Sequence, residues 1–442
     1  MLRVFKVHII HVGNMANKGT QALLISDVSV IREIVGNDVS ISVSTVDIEG
    51  VKRLNLPLDA ITSPLLDIPY EKADFYARKY GFNRKSFKYK MLALASFFLM
   101  VIQLLLSAFS ILLSKVGLKP LYKADAVKCM KECDLVISYS DENFKETASM
   151  LPLNIYWVLA WWSMLASRTW EIVAAKLLNK PVVMFPNSVG PFRTFIGRLF
   201  AKIALNSCHT ILIREPISYG VVNSLGVKAQ KILTSDTSIL FGALAKTNYI
   251  KPSTVMIGVS PGIYTFSLPR EMIQNYILSH ARGLDEAIER YGFSVVFLPH
   301  YITGFTLDDF EVSKLIARNM KNREKTRIIN ARSVEEFKHW IGQMKIVVSS
   351  KMHPAVIAAS VHVPFLFIAY DYKQTGFASS LGLDDCVLSI RDFSYDKLLA
   401  KIEYIWKNLD VIQKLLRKRV PDLQKNVKDS VAFALAPFID VK

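Results

Sequence analysis

The stretch KIVVSSKMHPAVIAAS, residues 345–360, shows the structural unit from which the rest of the chain is built. A β-branched run ends at Ser349, a turn carries Lys351 and His353, and small apolar residues follow in a helical pattern. A strand that passes through a short turn into a helix is typical of parallel α/β folds. Because a buried face needs neither a lysine nor a histidine, the two side chains at this turn indicate a functional site.

The same alternation of short β-branched runs with longer helical patterns continues on both sides of this stretch. In the first half the predicted strands are FKVHIIHVG, SISVSTV, CDLVISYS, PVVMFPNSVG, HTILIREP and KILTSD. After the polar connector AKTNYIKPST they are VMIGVSPG, FSVVFLPH, TRIIN, KIVVSSK, PFLFIAY and CVLSI. The pattern predicts an α/β protein with two doubly wound, Rossmann-like domains. We expect an N-terminal domain over residues 1–245, a C-terminal domain over 253–394 and a helical segment over 395–442.

Charge limits the partners of the protein. The 442 residues include 55 lysines and arginines against 38 aspartates and glutamates, which gives a formal net charge of +17. Such an excess favours anionic partners, namely phosphorylated metabolites, acidic lipid surfaces or nucleic acid. The basic residues cluster beside an apolar segment and in the last helical pattern, and no zinc module or RNA-binding signature is present. We therefore expect no nucleic-acid partner.

The cysteines and the first residues indicate a cytoplasmic protein. Four cysteines in so long a chain do not form a disulfide framework, which favours a reducing compartment. Cys129 and Cys133 lack the two further nearby ligands that a zinc site needs, so we expect no bound metal. The opening residues, MLRVFKVHIIHVGN, have the pattern of a strand that runs into a turn and lack the apolar core of a signal peptide.

One apolar segment departs from this soluble pattern. Residues 91–113, MLALASFFLMVIQLLLSAFSILL, carry no charge and are long enough as a helix to cross a bilayer. Basic residues flank both ends: Lys79, Arg84, Lys85, Lys88 and Lys90 before it, and Lys115, Lys119 and Lys123 after it. A single crossing would place one basic flank outside the cytoplasm and would separate strands of one sheet. We therefore expect residues 78–123 to be a membrane-associating insertion that dips into the inner face of the cell membrane and contacts anionic head groups; the alternatives are a buried core helix and a true crossing.

Polar side chains follow many of the predicted strands, at the edge where open α/β sheets bind ligands. The turn NMANKGTQA after the first strand also places backbone amides at a helix start, which suits an anion. The candidate site residues are Asn14, Gly19, Thr20, Arg214, Asp236, His300, Lys351, Met352, His353 and Lys373. If two such domains face each other, these residues converge on a basic, histidine-bearing cleft.

This set of side chains limits the chemistry. Arg214, Lys351 and Lys373 are suited to phosphate and carboxylate groups, and His353 can give or take a proton near neutral pH. The set lacks the pair of carboxylates of a glycoside hydrolase and the ligands of a metal cage. It predicts a small, doubly negative substrate that an imidazolium can protonate.

Several motifs resemble a known family. NKGTQALL, PNSVGPF, LIREPIS, TSDTSILF, FLPHY, SSKMHPAVIAAS and PFLFIAYDYKQTGFASSLGL occur in the order and approximate spacing of the polysaccharide pyruvyl transferase family, from about residue 8 to about residue 385. The resemblance implies a fold similar to that of B-type glycosyltransferases. It also implies transfer of the enolpyruvyl carbons of phosphoenolpyruvate to sugar hydroxyls of a cell-surface or lipid-linked glycan, with a ketal as product, phosphate released and no cofactor.

The resemblance also assigns roles to residues. His353 corresponds to the functional histidine of the family, Lys373 to its downstream lysine, and Arg214 to an arginine of the phosphoenolpyruvate site. Where the family commonly has Arg-Leu-His, this chain has Lys351, Met352 and His353, so a point charge replaces the guanidinium fork. After the strand CDLVISYS, Tyr139 and Ser140 stand where the family often has a glycine pair.

Two other functions remain open on the sequence. A glycosyltransferase of the same architecture would hold the diphosphate of a nucleotide-sugar in the basic cleft, and fold does not distinguish it from a pyruvyl transferase. A non-catalytic, membrane-associated scaffold of the same fold is the third interpretation, which the two departures from the family pattern leave open. Asp236 and Asp371 are the candidate bases for the acceptor hydroxyl in the pyruvyl transferase mechanism, and the alternative for either is to orient a lysine. The acceptor sugar and the oligomeric state are not predicted.

Overall fold

The computed structural model describes residues 4–68, 76, 80, 86–146, 155–244, 255–262, 270–304 and 308–439. Part of the predicted basic flank, Lys79, Arg84 and Lys85, lies outside these residues. The described chain divides into two compact units that do not follow chain order. The first comprises residues 1–15, 27–236 and 427–442, and the second comprises residues 16–26 and 237–426.

The first unit is built on a parallel sheet. Its strands within the described residues are β1 (Lys6–Val12), β2 (Ser40–Thr45), β3 (Ala60–Thr62), β4 (Leu135–Ser138), β5 (Val182–Asn187), β6 (Thr210–Ile213) and β7 (Gln230–Leu233). They lie in the order β3-β2-β1-β4-β5-β6-β7. Ile9 of β1 is paired with Val43 on one side and Ile137 on the other, and all three are fully buried. Strands that are apolar on both faces require helices on both sides of the sheet.

The helices of the first half cover the two faces of this sheet. They are α1 (Lys18–Val35), α2 (Ile48–Arg53), α3 (Phe87–Lys115), α4 (Ala124–Glu132), α5 (Ile155–Leu177), α6 (Phe195–Ser207) and α7 (Pro216–Ser224). Crossovers between parallel strands are right-handed, so their direction across the sheet fixes the face that each helix covers. The crossovers after β1 and β2 run toward β3, whereas those after β3, β4, β5 and β6 run the other way. Helices α3 to α7 therefore cover the face opposite to α1 and α2.

The second unit is built on another parallel sheet. Its strands within the described residues are β8 (Met256–Ser260), β9 (Ser294–Phe297), β10 (Thr326–Ile328), β11 (Ile346–Ser349), β12 (Phe365–Ala369) and β13 (Val387–Ser389), in the order β10-β9-β8-β11-β12-β13. Its helices are α8 (Phe241–Leu244), α9 (Arg270–Tyr291), α10 (Asp309–Asn319), α11 (Val334–Gly342), α12 (Met352–Ser360), α13 (Tyr372–Leu381), α14 (Tyr395–Lys407) and α15 (Leu409–Ile439), which continues into the first unit. The predicted fold class, two doubly wound α/β sheets, is confirmed.

Helix α3 has a narrow polar stripe that faces the protein. Gln103, Ser107, Ser110 and Ser114 recur at helical spacing along it. Gln103 Oε1 accepts from Asp67 N at 2.9 Å, and Ser107 Oγ accepts from Trp170 Nε1 at 2.8 Å. Ser110 Oγ accepts from the backbone of the returning chain, and the Ser114 carbonyl accepts from a lysine of α4. The helix is therefore bonded to the first unit along half its length.

The rest of α3 is apolar and exposed. Within the described residues it is the one helix long and apolar enough to span a bilayer, and only 28% of its most apolar window is buried. Leu105, for example, is 68% exposed. Of the basic flank, Lys123 bonds Asp67 Oδ1 at 3.1 Å and Ser63 Oγ at 2.9 Å. The expectation that all these cations point to head groups is therefore wrong for Lys123, which bonds inside the unit.

Candidate active site

The turn between β11 and α12 carries the predicted lysine and histidine in the second unit. The Ser349 hydroxyl holds this turn, since it accepts from Lys351 N at 3.1 Å and donates to Lys351 O at 2.7 Å. Lys351 has extended backbone at the N-cap, and His353 lies in the first turn of α12, where Pro354 is tolerated. His353 and Met352 are buried. The local sequence therefore fixes His353 on a rigid helix start.

His300 packs against His353. Their ring centroids are 6.0 Å apart and the rings are tilted by only 16°. His300 follows β9 and is fully buried, and neither ring nitrogen has a hydrogen-bond partner among the described residues. Burial holds the pKa of His300 well below its usual value, and the nearby basic groups of Lys351, His353 and Lys18 lower it further. His300 is therefore a neutral imidazole with unused hydrogen-bonding capacity beside the candidate acid.

Gly19 is the other close neighbour of His353. A Cβ atom at Gly19 would overlap Nδ1 and Cγ of the His353 ring. The turn that carries Gly19 is held by Asn17, whose Oδ1 accepts from Gly19 N at 2.9 Å, and by Lys18 N, which donates to His300 O at 3.2 Å. The NKG sequence therefore lies against both histidines, and Gly19 is needed because no side chain fits between this turn and the His353 ring.

Lys351 is held by a carboxylate that the sequence did not identify. Its Nζ lies 3.0 Å from Asp309 Oδ1. The other oxygen of Asp309 accepts from His300 N at 3.2 Å and Tyr301 N at 2.7 Å. Burial raises the pKa of Asp309, while Lys351 and these two amides act in the opposite direction. Asp309 therefore ties the lysine to the segment that carries His300.

The stem of Lys351 passes over a second glycine. A Cβ atom at Gly262, just beyond β8, would overlap the Lys351 side chain. The Nζ of Lys351 lies 5.1 Å from the centre of the Tyr301 ring, within cation–π range. A glycine, an aromatic ring and a carboxylate thus fix the position of this ammonium group.

Lys373 follows the neighbouring strand β12. It is buried, with Nζ 6.0 Å from the centre of the Tyr370 ring. The side chain of Gln374 accepts from Asp371 N at 3.1 Å and donates to Ser350 O at 3.0 Å. Gln374 therefore links the turn of Lys373 to the turn of Lys351 and His353. Thr20, another predicted site residue, is buried in the first turn of α1.

Arg214 and Asp236 form an ion pair in the first unit. Arg214 Nη1 donates to Asp236 Oδ2 at 2.7 Å, and both side chains are fully buried. Nε donates to Ser188 Oγ at 2.8 Å, and Nη2 lies 3.4 Å from Glu142 Oε1. Glu142 also pairs with Lys145. The ion pair shows that each of these two residues stabilises the buried charge of the other. The roles of Arg214 as an anion ligand and of Asp236 as a base stay predictions.

Tyr139 and Ser140, where the resemblance implied a glycine pair, lie in a firmly held segment. Ser140 N and Oγ both donate to the buried carboxylate of Asp27, at 3.1 Å and 2.8 Å. The Tyr139 carbonyl accepts from the side chains of Asn143 and Asn187, at 2.6 Å and 2.9 Å. The two residues thus take part in a hydrogen-bond network at the end of β4. Asn14 lies half-buried in the turn after β1 of the same unit.

The structure thus groups the predicted residues by unit. His353, His300, Lys351 and Gly19 lie together in the second unit, with Lys373 on a linked turn, whereas Arg214, Asp236 and Asn14 belong to the first unit. Whether the two groups face one ligand stays a prediction. Sequence reasoning missed Asp309 and Glu142. A signal for Asp309 exists in the sequence TLDDF, which has two aspartates at a helix start where one is enough for the cap. Asp308 is that cap, since it accepts from Phe310 N at 3.0 Å and Glu311 N at 3.1 Å, and this leaves Asp309 for another role.

Solved structures that contain UDP or UDP-GlcNAc share this fold. A UDP-GlcNAc 2-epimerase from Neisseria meningitidis, bound to UDP-GlcNAc, is 12% identical with a TM-score of 0.56, over 98% of this chain and 100% of that one. The MnaA–UDP co-structure from S. aureus is 9% identical with a TM-score of 0.59, over 99% of this chain and 98% of that one. At such identities the likeness defines the fold class alone, a pair of Rossmann-like sheets similar to those of B-type glycosyltransferases.

The family is defined by sequence. The family model of polysaccharide pyruvyl transferase matches residues 51–372, which is most of the chain, and the protein belongs to this family. A curated relative is the amylovoran biosynthesis protein AmsJ of Erwinia amylovora, 22% identical over 267 residues. That match covers 56% of this chain and 63% of the relative.

Proposed function

We propose that the protein transfers the pyruvyl group of phosphoenolpyruvate to hydroxyls of a cell-surface or lipid-linked glycan, forming a pyruvate ketal and releasing phosphate. The observation that carries the proposal is the cluster of His353, His300 and Lys351 at a strand end of the second unit, in a chain of the pyruvyl transferase family. Phosphoenolpyruvate has a phosphate and a carboxylate for basic groups and a methylene carbon that accepts a proton.

The chemistry proceeds in two additions. A proton from an acid is transferred to the methylene carbon, which becomes a methyl group, and the adjacent carbon becomes an oxocarbenium-like electrophile. One sugar hydroxyl adds to that carbon and loses its proton. A second hydroxyl then displaces the phosphate: the bond from carbon to the phosphate oxygen breaks, the second hydroxyl gives its proton to the departing phosphate, and the ketal closes. Hydrogen-bond donors and cations directed at the charge that develops in the transition state accelerate both additions most.

In this proposal the residues have the following roles. His353 is the acid, and Lys351 and Lys373 neutralise the donor's anionic groups, with Arg214 as a further ligand. His300, neutral and parallel to His353, positions its ring. Asp236 accepts a proton from the acceptor hydroxyl or holds Arg214. Asn14, Thr20 and Met352 are substrate contacts in this proposal.

The donor is the first thing to test. The purified full chain is incubated with membrane extract as the source of acceptor, and inorganic phosphate is measured with phosphoenolpyruvate or with UDP-GlcNAc as donor. We expect phosphate release that depends on both phosphoenolpyruvate and the extract. Heat-inactivated protein is the control for phosphatases in the extract.

A nucleotide-sugar donor is the second candidate, favoured by the UDP ligands named for the structural relatives. Release of UDP from UDP-GlcNAc, without phosphate from phosphoenolpyruvate, would replace the proposal with a glycosyltransferase. If neither donor reacts and neither raises the melting temperature, the non-catalytic scaffold is the better interpretation.

Gly19 offers a test of the histidine geometry. Gly19→Ala is expected to lower phosphate release by about 100-fold, because a displacement of the His353 ring by about 1 Å misaligns the proton donor. The matched control is Gly220→Ala on α7, where a Cβ atom meets nothing within 4 Å. That variant should keep wild-type turnover. If Gly19→Ala kept full turnover and an unchanged melting temperature, His353 would not be the proton donor.

Membrane association is the last part of the proposal. A protein that acts on a lipid-linked acceptor needs to reach the bilayer surface, and α3 presents an exposed apolar side while its polar stripe bonds the first unit. We propose that the protein acts in the cytoplasm, on the inner face of the cell membrane, with α3 in the membrane interface.

A further inference from the structure

We propose that α6 is a second membrane-contacting element, so that α3 and α6 together form one surface that binds an anionic bilayer in the plane of its head groups. The inference concerns a helix to which neither the family nor the sequence assigned a role. It is independent of the transfer chemistry, since it concerns binding to lipid and not to the donor.

The exposed side of α6 is apolar and basic. Phe195 is 77% exposed, and Leu199 and Ile203 follow on the same side at helical spacing. Arg198 and Lys202 are exposed beside them, and the helix sequence FIGRLFAKIALNS contains no carboxylate. Large apolar side chains are rarely left exposed in a row unless they contact a partner. An apolar side edged by cations is typical of helices that lie in a membrane interface.

The position of these side chains is fixed by the other side of α6. Ala201, Ala204 and Leu205 are fully buried against the first unit. At the helix start, Thr194 Oγ1 accepts from Gly197 N at 3.0 Å. The buried Glu146 carboxylate accepts from the amide of Thr194 at 2.8 Å. Phe195 therefore points outward on a well-anchored helix start, and its exposure does not come from a loose end.

Helices α3 and α6 lie on the same face of the sheet, as their crossovers require. Both also contact α5, which lies between them. Trp170 Nε1 of α5 donates to Ser107 of α3 at 2.8 Å, and the adjacent Thr169 donates to the carbonyl of Phe200 of α6 at 3.2 Å. The three helices thus form one layer, and the outward sides of α3 and α6 belong to the same side of the unit.

Charge decides which partner fits this layer. Neither α3 nor α6 contains an aspartate or glutamate, whereas exposed cations lie at both: Lys88, Lys90, Lys115, Arg198 and Lys202. Lipid head groups with negative charge complement such a surface, and the apolar side chains between the cations reach the acyl boundary. A second copy of the chain would bring like charges together, so the bilayer is the better occupant.

The test measures binding of the full chain to vesicles by co-sedimentation. Vesicles are made of equal parts phosphatidylglycerol and phosphatidylcholine, or of phosphatidylcholine alone. The wild-type protein should prefer the anionic vesicles. The double variant Phe195→Glu with Leu199→Glu should bind them at least about tenfold more weakly, because two apolar anchors are lost and two negative charges are gained.

The matched control is Phe433→Glu on α15. Phe433 is also well exposed, at 56%, and α15 is tied to α1 by an ion pair between Lys428 and Glu33 at 2.6 Å, on the opposite face of the sheet. This variant should bind vesicles as wild type does. A milder pair, Phe195→Ser with Leu199→Ser, replaces the glutamates if their variant melts earlier than wild type.

Two results would overturn the inference. One is unchanged vesicle binding by a folded α6 variant, which would leave α3 as the membrane element by itself. The other is loss of a dimer in solution without loss of vesicle binding, measured by sedimentation velocity, which would make α6 an interface between copies. Phosphate release from phosphoenolpyruvate is measured on the same variants, so a failure of the transfer proposal is visible separately.

Discussion

His353→Gln is expected to lower phosphate release from phosphoenolpyruvate by about 10³-fold while phosphoenolpyruvate still binds with nearly wild-type affinity. Loss of a general acid typically costs a factor of about 10² to 10⁴. Glutamine keeps a hydrogen-bond donor of similar reach but cannot deliver a proton. Because glutamine is close to histidine in size and fits a helix start, the substitution should leave the fold intact. Turnover is measured at saturating donor, and affinity by isothermal titration calorimetry.

A histidine on the neighbouring helix provides the control. His339 of α11 is half-buried and bonds the side chain of Gln343 at 2.8 Å. His339→Gln should retain wild-type turnover. If His353→Gln were as active as this control, the proton would have to come from another group. His300→Gln would then be the next variant, since His300 is the imidazole that packs against His353.

Arg214→Met is expected to destabilise the protein by about 3–5 kcal/mol, the cost of leaving one member of a buried ion pair without its partner. Asp236 would lose the guanidinium that donates to it at 2.7 Å, in a place where neither side chain reaches solvent. Glu142, at 3.4 Å, would lose part of its compensation as well. The melting temperature by differential scanning fluorimetry is the measurement.

The double variant Arg214→Met with Asp236→Leu distinguishes the contribution of the ion pair to stability from the contribution of Arg214 to donor binding. Removing both charges together should recover most of the lost stability, since apolar residues often replace a buried pair at little cost. Neither variant should release phosphate if Arg214 also binds the donor. A single Arg214→Met variant that melts like wild type would show that Asp236 is solvated or protonated without its partner, against the burial described above.

Much of the fold could be predicted because hydrophobic periodicity is local. All the strands proposed from sequence are present, because each is a β-branched run bounded by turn residues. One further strand, β3 (Ala60–Thr62), was not predicted. It has only three residues and lies at the sheet edge, so neither length nor pattern distinguishes it from a loop.

The site could be predicted only in part. The strand-end rule selected His353, His300 and Lys351, and the structure places all three together. It could not predict that Lys351 binds Asp309, because that carboxylate comes from a helix about forty residues earlier in the chain, a distance set by tertiary packing. For the same reason the sequence could not predict that the Arg214 guanidinium bonds Asp236 and Ser188, and its role as an anion ligand stays a prediction.

The change from arginine to lysine in the histidine motif has a structural context. A guanidinium fork holds a phosphate with two parallel bonds, and an ammonium group cannot. Here the ammonium of Lys351 is directed by Asp309 and by the Tyr301 ring. The site therefore has one well-positioned ammonium group at this place, paired with the Asp309 carboxylate.

The serines of α3 limit how the protein can be made water-soluble. Deletion of residues 87–115 would remove the hydrogen-bond acceptor of Trp170 at Ser107. It would also expose the part of the hydrophobic core against which Ile111 packs. The shortened protein would aggregate, because apolar core residues would be exposed to solvent. A soluble variant is better obtained by substituting polar residues for the exposed apolar residues of α3. The residues of the polar stripe are then kept: Gln103, Ser107, Ser110 and Ser114.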